Sequence, residues 1–198
     1  AKKGKWYILA HDYEWGRGSA AAFKSQIAKA FNFQLVGEDY APLDTKDWAT
    51  YIGKIRAAKA DFVWAPIIVA VVTDFVKQAR EFGLLDSTRV MAVAGITDSQ
   101  LQAVGEAATG MMAVSWATWT VDTPENKKFN DAFWREYKTI PGFQSAVTYA
   151  GTGLLLNALE QAGNTAPDKI ISALERASFN GRTGCCECER RTIRPSPP

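Results

Sequence analysis

The feature that most restricts the fold is an alternation repeated along the first two thirds of the chain: a short apolar run, a turn, then a helical stretch. The runs are Trp6–Ala10, Gln34–Tyr40, Asp61–Pro66, Arg89–Gly95 and Met111–Trp116. Each is short enough for a buried strand, and Gly, Pro and Asp bound them. Between them helical spacing takes over, from about Ser19 to Phe31, Asp47 to Lys59 and Asp98 to Ala107. The apolar stretch from Ile67 runs into a further helix that stops at Gly83, a C′ glycine. In the second helix Trp48, Tyr51, Ile52 and Ile55 share one apolar face. Such alternation predicts an α/β fold, a five-stranded, doubly wound parallel sheet with helices on both faces. Sheets of this kind bind ligands beyond the carboxyl ends of their strands, so the residues after each strand are the ones to inspect.

The first unit is the most informative. Trp6–Ala10 reads as a strand and His11–Trp15 as a polar, aromatic loop. Gly16 and Gly18 read as a tight turn, and Ser19 onward as a helix. A loop of that kind turns free backbone N–H groups and the positive end of a helix dipole toward the ligand edge.

At Thr123 the pattern changes. Thr123 caps a helix with Pro124 in its first turn; this helix reaches about Tyr137 and is expected to bury Phe129, Phe133, Trp134 and Tyr137. A second helix covers about Ser145 to Gln161, with Gly163 past its end, and a third covers Asp168 to Ala177. No strand separates the three. Either they cover a different sheet, one absent from this sequence, or they pack on one another as a helical subdomain. The chain then divides into 1–120, an α/β lobe, 121–180, a helical segment, and 181–198, an irregular Cys- and Pro-containing tail ending Pro195-Ser-Pro-Pro198.

Composition narrows the function. The 23 basic and 21 acidic residues are interspersed, which argues against a nucleic-acid surface. No apolar run approaches the roughly 20 residues that span a membrane. No apolar segment follows Ala1-Lys-Lys-Gly4, so a cytosolic protein and a processed or truncated chain both remain open. Cys185, Cys186 and Cys188 are too few and too clustered for a disulfide framework, and the half-site Cys185-x-x-Cys188 lacks a second half. No metal and no cofactor are expected. His11 beside Asp12 invites a catalytic reading, but there is no nucleophile elbow and no second histidine. No catalytic residues are therefore assigned, and His11 is expected to make a loop hydrogen bond or a polar ligand contact.

Five stretches in order then resemble one family. They are Asp12-Tyr-Glu-Trp-Gly-Arg-Gly18, Tyr40-Ala-Pro-Leu-Asp-Thr-Lys-Asp47, Ile55-Arg-Ala-Ala-Lys-Ala-Asp61, Val76-Lys-Gln-Ala-Arg-Glu-Phe-Gly83 and Tyr149–Gly163. Together they resemble the second half of a type I periplasmic binding protein, the leucine/isoleucine/valine-binding class that serves ABC importers. The resemblance implies two α/β lobes closing on a ligand like a flytrap, an ABC permease as partner, and a periplasmic or extracellular location. It makes Lys5 to about Thr118 the C-terminal lobe and Asp122 to about Ala177 helices returning to the N-terminal lobe. The rest of that lobe is not in the sequence, and the family's closing strand and hairpin after Gly184 give way to the Cys-rich tail.

By the same resemblance Trp15, just before the first glycine, lies against the ligand, with His11 and Tyr13 on the same loop. Pro66, Ile67, Ile68 and Val69 follow the third strand, where relatives often carry tyrosines; they are read as a ligand contact or as the buried start of a helix. At the end of the fourth strand, where relatives that bind α-amino acids carry an acid for the ammonium group, this chain has Ala94. A buried cation without a partner is costly, so the expected ligand is an apolar or aromatic small molecule, a carboxylate before a branched-chain amino acid. Trp116 and Trp119, near the last crossover, are read as core or hinge residues or as cleft lining. Two rivals stay open. Gly16-Arg-Gly-Ser-Ala-Ala21 with Glu38 fits a dinucleotide fingerprint, although five residues intervene before the first glycine. A ligand-sensing regulator would share the fold.

Overall fold

The computed structural model describes residues 4–30, 33–93, 96–114, 119–181 and 184–187. They form two compact units, divided between Trp116 and Ala117.

In the first unit, strands β1 (Gly4–His11), β2 (Phe33–Ala41), β3 (Phe62–Ala65), β4 (Arg89–Val93) and β5 (Met112–Val114) form one sheet in the order β2-β1-β3-β4-β5. Every pairing is parallel. Helices α1 (Glu14–Ala30), α2 (Ala49–Ala57), α3 (Val69–Glu81) and α4 (Asp98–Val104) make the connections. Strand period 2 sorts the β1 side chains. Ile8 and Ala10 pack against Ala20 and Phe23 of α1. Tyr7 and Leu9 enter the larger core with Trp48, Ile52 and Ile55 from α2 and its start, and Val72, Phe75 and Val76 from α3. Two layers of helix therefore cover the sheet, as the alternation requires.

Local devices fix the edges of these elements. Gly83 takes the left-handed conformation (φ 68°) that ends α3. Thr97 and Gln100 form a capping box at the start of α4. A bulge at Val36 lets Gly37 face Tyr7, and a Cβ at position 37 would sit 2.2 Å from the Tyr7 ring. That ring hydrogen-bonds Asp39 through its hydroxyl. β2 is an outer strand, and its two carboxylates are held from opposite faces. Glu38 pairs with Lys24 of α1 at 2.9 Å, and Asp39 with Lys54 of α2 at 2.6 Å.

The first unit differs from the sequence reading in one important place. α1 opens at Glu14, so Trp15, Gly16 and Gly18 lie inside the helix rather than in a loop and turn before it. The polar connection shrinks to Asp12 and Tyr13, and His11 is the last residue of β1. An acid in the first turn, Glu14, suits the helix dipole there, and this outweighs the low helix propensity of the glycines.

In the second unit, α5 (Pro124–Tyr137), α6 (Phe143–Ala162) and α7 (Pro167–Leu174) are followed by an antiparallel hairpin, β6 (Ser178–Gly181) and β7 (Gly184–Glu187). Thr123 caps α5 by accepting from the Asn126 N–H, and Gly163 ends α6 at φ 64°. Ala158 of α6 packs on Ala173 and Ala177. Rings of Phe129, Phe133 and Tyr137, four residues apart, form a ladder down α5, and Phe129 meets Tyr149 of α6 at 4.7 Å.

Two expectations are corrected here. Trp134 and Tyr137 are not buried on α5 but are 54% and 63% exposed. Phe129 and Phe133 are half-buried, because only one row of that wide face meets α6. Gly184–Glu187 is a strand rather than irregular tail: Cys185 pairs with Asn180 and Cys186 with Phe179. Cys188 and the rest of the tail lie outside the described residues, as do Ala94 and Trp116.

Candidate functional site

The chain leaves β1, builds β2 on one side, and returns to build β3 on the other. The strand order reverses between β1 and β3, and the crevice beyond their carboxyl ends is the place where open α/β sheets bind ligands. Two segments border it. After β1, the Asp12 N–H donates to the Ala41 carbonyl (2.8 Å) and the Tyr13 N–H to the His11 carbonyl (2.9 Å), so the chain turns sharply into α1. After β3, the Pro66 carbonyl accepts from the His11 N–H (3.4 Å), and the Ile67 N–H donates to the Ala65 carbonyl.

The expected site residues separate by burial. Tyr13 and Trp15 are half-buried, their ring centroids 6.0 Å apart, and Ile68 at the N-terminus of α3 is half-buried too. Ile67 is fully buried and packs in the main core. His11 is corrected. It shares the parity of Tyr7 and Leu9, is 0% exposed, and lies under Trp48 with the rings 5.9 Å apart and 7° from parallel. It lies at the end of β1 rather than on a loop. Among the described residues, neither of its ring nitrogens, nor the Trp48 Nε1, has a hydrogen-bond partner.

Gly16 sets the geometry of this edge. A Cβ there would stand 2.0 Å from the His11 carbonyl oxygen, so only glycine lets the first turn of α1 rest on the end of β1 and hold Trp15 where it is. Gly18 has open space around it. Because both glycines lie within a helix already under way at Glu14, they do not form the strand-to-helix phosphate turn of a dinucleotide site.

Sequence reasoning missed a polar chain beside Trp15. Arg17 pairs with Asp12 at 2.6 Å and lies over the Tyr40 ring, 4.3 Å from its centroid. Tyr40 donates to Glu38, which also takes Lys24. Burial and then the Glu38 hydrogen bond push Tyr40 up to about 12. Burial raises Glu38, but Lys24, Tyr40 and Arg17 outweigh it and hold the carboxylate below its ordinary value. The available signal was positional: Arg17 is one helical turn beyond Tyr13 and so falls on the same side of α1.

Burial lowers the pKa of His11 from its ordinary 6.5. The unfolded chain therefore binds a proton that the folded one refuses. The contribution of His11 to stability is complete above 6.5 and is lost as pH falls from there toward the lower folded value. His11 is the single histidine of the chain. Unfolding free energies from urea titrations should drop between pH 7 and 5.5, by up to about 1.4 kcal/mol per pH unit, and His11→Phe should remove that slope. An unchanged slope in the variant would show that the acid sensitivity does not come from His11.

Among the described residues, no three His, Cys, Asp or Glu side chains cluster as metal ligands, and no helix is long and apolar enough to cross a membrane.

The geometry has counterparts among known proteins. A periplasmic binding protein family model matches residues 1–194. The chain is 28% identical over 184 residues to a leucine-, isoleucine-, valine-, threonine- and alanine-binding protein of Pseudomonas aeruginosa, covering 92% of this chain and 48% of that protein. It superposes on an ABC transporter substrate-binding protein from Sphaerobacter thermophilus with a TM-score of 0.84 at 29% identity, covering 93% of this chain and 51% of the other. An ABC transporter solute-binding protein from Rhodopseudomonas palustris BisB5, in complex with 3,4-dihydroxybenzoic acid, gives 0.83 at 26% identity over 94% and 52%. The chain spans about half the length of the curated relatives it matches. A sheet whose order reverses beside Trp15, and a match over nearly its whole length, lead to one assignment: the chain belongs to the periplasmic binding protein family, with the type I fold, and is similar to the leucine/isoleucine/valine-binding proteins within it.

Proposed function

We propose that this chain supplies one jaw of an ABC importer's solute-binding subunit, which captures an apolar or aromatic carboxylate and delivers it to a membrane permease without chemical change. The observation that carries this reading is the pair of half-buried rings, Tyr13 and Trp15, at the edge where the sheet order reverses. Ile68 adds apolar surface from the neighbouring strand end. Ala94 offers no charge for an ammonium group, which favours an aromatic acid such as the Rhodopseudomonas palustris protein holds over the amino acids named for the Pseudomonas aeruginosa relative.

In this reading α5–α7 are helices of a second lobe, and its sheet would cover Val147, Leu155 and Leu156. These side chains of α6 are 52%, 42% and 59% exposed. Closure of that lobe over the edge would complete the wall around the ligand, in a periplasmic or extracellular setting.

Calorimetric titration of the whole protein with 3,4-dihydroxybenzoate and with leucine tests the proposal. The aromatic acid should bind more tightly. Trp15→Ala should weaken it by about 1–3 kcal/mol through lost apolar contact. Tighter binding of leucine would refute the ligand class, and unchanged affinity in Trp15→Ala would remove that ring from the site. Ala94→Glu should move the preference toward amines.

A further inference from the structure

The second unit carries a pocket that the capture reading does not use. It is a cavity of about 170 Å³ between the segment before α5 and the turn after it, lined by Trp119, Asn130, Asp131, Trp134, Ile140 and Pro141. The two indoles are 44% and 54% exposed, far more than a packing role requires. Two asparagines hold the rim in place. The buried Asn126 donates its side-chain N–H to the carbonyls of Trp119 (3.0 Å) and Val121 (2.6 Å), and Asn130 donates to the Trp119 carbonyl at 2.8 Å.

The polar lining of this pocket includes an acidic group. Asn130 has its amide nitrogen committed to Trp119 and its Oδ1 shielded from solvent, so it shapes the wall rather than meeting a ligand. Asp131 lies on the pocket with an exposed side chain, and among the described residues no Lys or Arg pairs with it. By contrast, Lys127 on the same helix is taken by Asp122 at 2.7 Å. The volume is below the roughly 300 Å³ at which whole-metabolite sites begin, so the pocket suits one head group rather than a complete ligand. Two exposed indoles and a free carboxylate on one pocket are complementary to a flat cation that stacks and donates in its own plane. Guanidinium does both, whereas ammonium presents a compact, strongly hydrated charge.

We propose that the Trp119–Trp134 pocket is a receptor for a guanidinium group, closed by ion pairing to Asp131. The proposal rests on residues of the second unit alone, and its test does not depend on the ligand proposed for the first.

The test uses the whole protein labelled with ¹⁵N, in which the seven tryptophans of this chain each give one indole N–H signal. The probe is N-acetyl-arginine amide, and the control is N-acetyl-citrulline amide, which has the same shape without the charge. The arginine probe should move the Trp119 and Trp134 signals, assigned by Trp→Phe substitution, and leave the other five in place. The citrulline probe should bind roughly three- to tenfold more weakly, the share expected of an exposed ion pair with cation–π contact. Asp131→Asn should bring the arginine probe down to the citrulline affinity and leave citrulline unchanged. Trp134→Leu, which keeps apolar bulk but removes the ring, should weaken the arginine probe as well. The five undisturbed indole signals report that each variant is folded. Equal binding of the two probes, an Asp131→Asn variant that still discriminates between them, or shifts absent from Trp119 and Trp134 would each overturn the proposal.

Discussion

Trp48→Ala is expected to lower the stability of the protein by about 3–5 kcal/mol, the range for removing a large aromatic side chain from a packed core. Trp48 is among the largest fully buried side chains, at 0% exposure. It touches both the strand layer and the helix layer, with its ring 5.3 Å from Phe75 edge-on and 5.9 Å from His11 face-on. Its backbone N–H is held by the Gln78 side chain of α3 at 2.7 Å, and that same side chain reaches back to the Lys46 carbonyl. The cavity left by alanine would open onto the unpaired His11 nitrogens. Water would enter, and the acid sensitivity attributed to His11 should shrink together with the stability. Urea denaturation at pH 7.5 and 5.5 measures both effects. A loss below about 1 kcal/mol would mean that α2 and β1 collapse onto each other and that the layer is far softer than its packing indicates.

The second large effect is expected at Gly16. Alanine there places a methyl group 2.0 Å from a backbone oxygen at the end of β1. The obstacle is main chain, so no rotamer change relieves it, and the first turn of α1 must lift from the strand. Overpacking of this kind costs about 1–3 kcal/mol and occasionally more. The displaced turn carries Trp15 and Arg17, so solute binding should fail more than stability does. Gly18→Ala is the matched control, because nothing lies within 4 Å of a Cβ there. It should be neutral or slightly stabilising, since alanine is the better helix former. Thermal melts and calorimetry on the pair separate the two cases. Equal behaviour of Gly16→Ala and Gly18→Ala would dismiss the close approach.

Much of the architecture was legible because it rests on period and punctuation. Five short apolar runs alternating with helical spacing could satisfy their backbones and bury their faces in few other ways, and Thr123, Pro124, Gly83 and Gly163 act at the helix ends where their chemistry places them. The site edge was harder to read for a physical reason. Gly16 and Gly18 resemble a turn when judged by conformational freedom, yet Gly16 is there for the missing side chain, a tertiary need that no local pattern reveals. His11 was misplaced for a related reason. A polar residue after an apolar run suggests a loop, whereas the strand simply continues one more step and its parity sends the ring inward. The pocket on α5 was invisible, because it brings together Trp119 and Trp134, fifteen residues apart along the chain, one before the helix and one in its last turn.

The two carboxylates of β2 have a consequence beyond their ion pairs. An outermost strand offers a row of unpaired amides to any extended chain that drifts near. Here Glu38 and Asp39 point to opposite sides of the sheet, and Lys24 and Lys54 reach in from the helices above and below. A newcomer would have to slide between two ionic fences before it could zip up alongside. That margin of the sheet is thereby discouraged from recruiting a further strand from a neighbouring molecule.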